Sequence, residues 1–173
     1  SNEPFDSRTG FLFVGAATAD DTPNADSLVW FIGEVWPFLQ QALGERARLD
    51  IIGACNAPSL LALASPQVCL RGKVTDLEPW FDAARVFIVP TRYAAGIAHK
   101  AHEAAARGLP MVLTPLIAHQ LGWSGCATTG DTAEAFANAC LRLHEQREAW
   151  SAARESALSA VTRDCDPQRF RAV

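Results

Sequence analysis

Apolar residues along this chain fall into short runs, separated by longer stretches with helical spacing. Runs at residues 11–14, 48–52, 68–70, 86–89 and 111–113 are too short for buried helices and predict strands. The first three end at Gly15, Gly53 and Gly72, the fourth at Pro90, and Ala127-Thr128 adds a short sixth. Between them, Leu28, Phe31, Ile32, Val35, Phe38 and Leu39 recur at the helical period, with Asn24 or Asp26 as cap. Pro37 inside that pattern predicts a kink or a division. Further helices are predicted over 59–64, 77–84 with Asp76 as cap, 97–107 with Gly108 as its stop, 132–145 with Thr132 as cap, and 147–163. Residues 1–10 are polar and unpatterned and read as a tag remnant or linker, leaving one domain over 11–173. Strands alternating with helices predict an α/β fold, a Rossmann-like doubly wound parallel sheet of about six strands with helices on both faces.

In such sheets ligands bind outside the carboxyl ends of the strands. Those ends are Gly15, Gly53, Gly72-Lys73-Val74, residues 90–93, and Thr114-Pro115. Glycine there lets a ligand approach the backbone, and it also simply makes turns. The stretch from Tyr93 to Pro110 is the most informative: a glycine turn, a helix with one charged face, then Gly-Leu-Pro before the next strand. Free N–H groups at that helix start suit an anion, with Lys100 in the first turn. Ile97, Ala101, Ala104 and Ala105 share the apolar face; His99, Lys100, Glu103 and Arg107 lie opposite. Lys100–Glu103 and Glu103–Arg107 also have the spacing of a solvated ion-pair ladder, and the helix alone leaves both readings open.

The formal net charge is −4 and no Lys or Arg has a basic neighbour, which argues against a nucleic-acid footprint. No apolar run approaches the roughly 20 residues of a membrane span, and no signal peptide is visible, so a cytoplasmic location is expected. Five cysteines at wide spacing, without a C-x-x-C pair, predict free thiols. His99 and His102 do not form H-E-x-x-H and no third ligand stands out, so no metal site is expected. The G-x-S-x-G elbow, the P-loop and the dinucleotide glycine fingerprint are all missing.

Six segments in order resemble one family. They are Phe11-Leu12-Phe13-Val14-Gly15; residues 24–31 with Val35-Trp36-Pro37; Leu49-Asp50-Ile51-Ile52-Gly53; residues 68–77, similar to V-x-L-x-G-x-V-x-D-L; residues 84–90; and Gly96-Ile97 with Lys100, Glu103-Ala104 and Gly108-Leu109-Pro110. The chain from residue 11 onward resembles the C-terminal, donor-binding domain of a GT-B-fold, group 1 (family 4) retaining glycosyltransferase. The resemblance implies transfer of a hexosyl-type sugar from a nucleotide diphosphate to an acceptor hydroxyl, with retention at the anomeric carbon and no metal cofactor. It implies that Glu103 holds the ribose hydroxyls, that Lys73, Val74 and Thr75 lie beside the base, and that Gly96, Ile97 and the helix start face the diphosphate, with Lys100 neutralising it. Gly15, Gly72, Tyr93 and Ala95 complete the implied donor site.

Two departures stand out. Ala95 occupies the first position of the family's E-x7-E motif, and residues 16–24 lack its usual basic pair. Diphosphate binding then falls to Lys100, Lys73, Arg92 or backbone N–H groups. The family's other half, N-terminal, brings the acceptor, whether glycan, lipid or small molecule, and peripheral membrane association is compatible with the full-length protein. The isolated chain is expected to bind nucleotide weakly and transfer no sugar. The alternative is a degenerate, non-catalytic relative that serves as a binding or scaffolding module.

Overall fold

The computed structural model describes residues 4–93 and 99–165. Ala95, Gly96 and Ile97 therefore lie outside the described residues. Six parallel strands form one sheet: β1 (Thr9–Val14), β2 (Leu49–Ile52), β3 (Val68–Gly72), β4 (Ala84–Val89), β5 (Met111–Leu113) and β6 (Thr128–Thr129), in the order β3-β2-β1-β4-β5-β6. This is the expected Rossmann-like doubly wound fold. The order reverses between β1 and β4, where Phe11 pairs with Leu49 on one side and Val86 on the other. In an open sheet that reversal opens a crevice at the carboxyl edge.

The two-residue period of the strands sorts the core into two layers. Phe11, Phe13, Leu49, Ile51, Val86, Ile88 and Val112 face one side. There they meet α1 (Pro23–Trp30), α2 (Trp36–Leu43), α3 (Pro58–Leu63) and α7 (Ala133–Glu145). Leu12, Val14, Phe87, Val89, Met111 and Leu113 face the other. That side is covered by α4 (Glu78–Ala83), α5 (His99–Ala106), α6 (Pro115–Gln120) and the later half of α8 (Arg147–Asp164). Ala101, Ala104 and Ala105 of α5 are fully buried, which brings that helix close to the sheet.

Pro37 divides its helix as expected, and the device is a π-helical turn over Phe31–Val35 between α1 and α2. The wider turn keeps the chain helical just ahead of a residue that lacks its N–H. Phe31, Ile32, Val35, Trp36 and Leu39 all stay on the buried face. The cap of α1 is neither Asn24 nor Asp26. The Thr22 side chain accepts from the Ala25 N–H, and Pro23 takes the first helical position, where its missing N–H is harmless.

The fold also begins earlier than the apolar pattern predicts. Residues 5–10, expected as linker, are packed: Phe5 meets Trp150 edge to face, and β1 starts at Thr9. Arg8 is 1% exposed and donates Nη1 to the carbonyls of Phe81 (2.7 Å) and Ala84 (3.0 Å). A buried guanidinium satisfied by carbonyls leaves no hydrophobic signature in sequence.

Candidate functional site at the carboxyl edge of the sheet

The exits of β1, β2 and β3 are joined backbone to backbone. The Gly15 N–H donates to Ile52 O and the Gly53 N–H to Gly72 O, both at 2.9 Å. Gly53 has φ +138°, and a Cβ there would lie 2.1 Å from the Gly15 carbonyl oxygen. Only glycine fits, so this turn is built by close approach between strand ends. The loop after β1 is pinned further. Ala17 bridges to Cys55, Asn24 Nδ2 donates to Ala16 O at 2.8 Å, and Asp20 Oδ1 accepts from the Ser59 N–H at 3.1 Å and its hydroxyl at 2.5 Å. A loop with no cation of its own is thereby held in one shape.

Gly15 and Gly72 thus flank Gly53 along one edge. Gly72 has φ +71°, which frees Lys73 and Thr75 to be exposed while Val74 packs on the second core layer. Across the sheet, β3 and β4 are separated by two strands, or roughly 14 Å at ordinary strand spacing. The β4 exit is tied on both flanks. Thr114 Oγ1 donates to Thr91 O at 2.6 Å, and the Tyr93 hydroxyl donates to Asp21 O at 3.3 Å. Arg92 makes a two-pronged ion pair with Asp26, Nε to Oδ2 at 3.0 Å and Nη2 to Oδ1 at 2.6 Å. Its Cζ lies 5.7 Å from the Trp30 ring centroid.

On α5 the ion-pair ladder forms. Lys100 Nζ is 2.8 Å from Glu103 Oε2, and Arg107 approaches Glu103 and Glu78 at 3.8 Å each. Glu103 is one-third exposed (32%), so its carboxylate is oriented by Lys100 and still open to solvent. Such pairs on a helix surface add only about 0.2–0.5 kcal/mol each, so stability alone gives little reason for this cluster. His102 turns away from it. Its Nε2 lies 3.3 Å from Asp164 Oδ2, the carboxylate that Trp123 Nε1 also reaches at 2.7 Å. Among the described residues no group of three or more His, Cys, Asp or Glu could hold a metal ion, and no helix is long and apolar enough to cross a membrane.

Gly15, Gly72, Lys73, Thr75 and Tyr93 thus lie at or just past the carboxyl ends of β1, β3 and β4, with Val74 turned inward, while Lys100 and Glu103 pair with each other on α5, the helix after β4. Sequence reasoning missed the partners of Arg92. Asp26 is 66 residues away, a separation that no local pattern reports.

Comparisons with known proteins agree with this fold. The sequence model of the family described as glycosyl transferases group 1 matches residues 8–146. The fold is similar to that of TarM from S. aureus (TM-score 0.76, 12% identity, 95% of this chain and 34% of that one). It is also similar to WaaG, a glycosyltransferase of lipopolysaccharide biosynthesis (TM-score 0.69, 18% identity, 94% and 44%). A third similar structure is Anabaena HepE in complex with UDP and glucose (TM-score 0.72, 13% identity, 96% and 48%). The chain spans less than half the length of each. No curated protein matches it in sequence.

Proposed function

The chain belongs to the group 1 glycosyl transferases, and from that premise we propose that it is the nucleotide-sugar-binding domain of a retaining, family 4, hexosyl-type GT-B enzyme. The observation that carries the reading is Glu103: a carboxylate one-third exposed on α5, the helix that follows β4, oriented by a lysine at 2.8 Å. A carboxylate accepts from two vicinal hydroxyls at once, which suits a ribose. Lys73 and Thr75, at the far exit, take the base. Gly15 and Gly72 keep the edge low enough for the nucleotide to lie across it, and Tyr93, Lys100 and the chain leading into α5 meet the diphosphate. In the reaction the bond from the anomeric carbon to the diphosphate oxygen breaks. The acceptor hydroxyl oxygen bonds to that carbon on the same face, the diphosphate leaves with the electron pair, and the hydroxyl proton passes to the departing phosphate oxygen. Cations and N–H groups that steady the departing diphosphate lower the barrier.

Acceptor recognition belongs to the other half of such an enzyme. This chain alone is proposed to bind nucleotide without transferring sugar, with the acceptor a glycan, lipid or small molecule and no metal required. UDP in the HepE and TarM complexes supports a nucleotide as ligand here. Calorimetry with UDP, GDP and ADP on wild type and Glu103→Ala tests the reading. Loss of a charged hydrogen bond is expected to weaken binding by about 1–3 kcal/mol. Unchanged affinity would assign Glu103 to the surface ladder alone.

A further inference from the structure

We propose that Arg92 contacts the donor's phosphates alongside Lys100, and that Asp26 is its positioning residue; the inference rests on the donor-binding reading above. Arg92 leaves β4 at the point where strand order reverses. Asp26 sits in the first turn of α1, at the same carboxyl edge. Both hydrogen bonds of the pair use one edge of the guanidinium, Nε and Nη2. Nη1 makes no hydrogen bond to a described residue, and the side chain is 47% exposed. Trp30 lies against the group, so rotation about the long side chain is restricted. The backbone is fixed on both sides, by Thr114 on Thr91 and by Tyr93 on the loop after β1. A planar fork held along one edge presents its other N–H groups in a set direction, which is how guanidinium recognises phosphate.

The charge balance of the edge points the same way. Residues 16–24 carry no Lys or Arg, and Asp20 and Asp21 make that loop acidic. The ammonium of Lys100 shares its charge with Glu103 at 2.8 Å. Arg92 gives two of its five N–H donors to Asp26 and keeps the rest for a ligand. Asp26 tempers the charge and supplies the aim.

The test is calorimetry with uridine, UMP, UDP and inorganic pyrophosphate, repeated with the adenosine and guanosine series, on wild type, Arg92→Gln, Arg92→Lys and Asp26→Asn. Arg92→Gln is expected to weaken diphosphates by about tenfold or more while leaving nucleosides unchanged. Arg92→Lys should lose nearly as much, because an ammonium cannot hold Asp26 with one edge and phosphate with the other. Asp26→Asn should lose roughly three- to tenfold, again on phosphorylated ligands only. The double variant D26R/R92D should recover the unfolding midpoint of the wild type without recovering diphosphate affinity. Equal losses on nucleoside and diphosphate would make the pair purely structural and overturn the inference. So would tighter diphosphate binding by Asp26→Asn, which would make the aspartate a competitor. UDP bound at full strength by Arg92→Gln sinks the inference and leaves the donor site standing. A wild type that binds no nucleotide of any series overturns both.

Discussion

Replacing Gly53 by alanine probes the joint on which the whole carboxyl edge depends. The new Cβ would lie 2.1 Å from Gly15 O and 2.7 Å from Gly15 C. Both are main-chain atoms, so no side-chain end can swing aside. Relief requires the β1 and β2 exits to part by roughly 1.5 Å before ordinary contact distances return. That movement loosens the bonds from Gly15 N to Ile52 O and from Ala17 N to Ala54 O, each 2.9 Å long. Each such bond contributes about 1 kcal/mol net. The backbone at φ +138° adds strain of about 1–3 kcal/mol for any residue with a Cβ. Together the loss comes to about 4 kcal/mol, a large part of an ordinary stability of about 5–15 kcal/mol. Urea unfolding followed by tryptophan fluorescence should show a midpoint lower by about 2 M, with an unchanged slope. Gly33→Ala is the control: nothing lies within 4 Å of a Cβ there, and the position is helical. It should gain up to about 1 kcal/mol. A Gly53→Ala midpoint within about 0.3 M of wild type would refute the close-approach account.

Two further expectations concern groups away from the site. The Gly10 N–H donates to His144 Nε2 at 3.4 Å, and Nδ1 lies 2.7 Å from Glu145 Oε1, so the buried imidazole is neutral with its proton on Nδ1. Burial holds its pKa below the ordinary value, against the opposing pull of Glu145. A depressed folded pKa means that the contribution is complete above about pH 6.5 and is lost as pH falls, with a slope of at most about 1.4 kcal/mol per pH unit. His144→Gln should therefore flatten the dependence of the urea midpoint between pH 7.5 and 5.5; equal slopes in the two proteins would contradict the assignment. Thiol labelling should proceed quickly at exposed Cys126 and Cys165, and at buried Cys55 and Cys140 only on unfolding, since burial raises both of the latter thiols. Rapid labelling of Cys140 in the native protein would be inconsistent with its place in the core.

Hydrophobic period and turn chemistry made most of the fold legible. The run at 111–113 is β5, Thr132 caps α7, and Gly108 ends α5 at φ +64°. These signals are local, so a single sequence carries them. What escaped is polar and distant in sequence. Arg8 is buried because two carbonyls 73 and 76 residues away receive it. Asp26 reads as a helix cap until Arg92 is brought beside it. The Thr22 cap was within reach, since a threonine followed by proline marks a helix start. For the site, the motifs placed Glu103 and Lys100 on one helix face, and the structure adds that they are bonded to each other. The ladder and the proposed donor clamp call on the same side chains, so the two readings of α5 are compatible.

The most direct measurement is a crystal of this chain soaked with a nucleotide-sugar. The account predicts ribose hydroxyls within about 3 Å of the Glu103 carboxylate, the base beside Lys73 and Thr75, and a phosphate oxygen on Arg92. A nucleotide bound elsewhere on the molecule, or lying at this edge with its ribose turned away from Glu103, would contradict it.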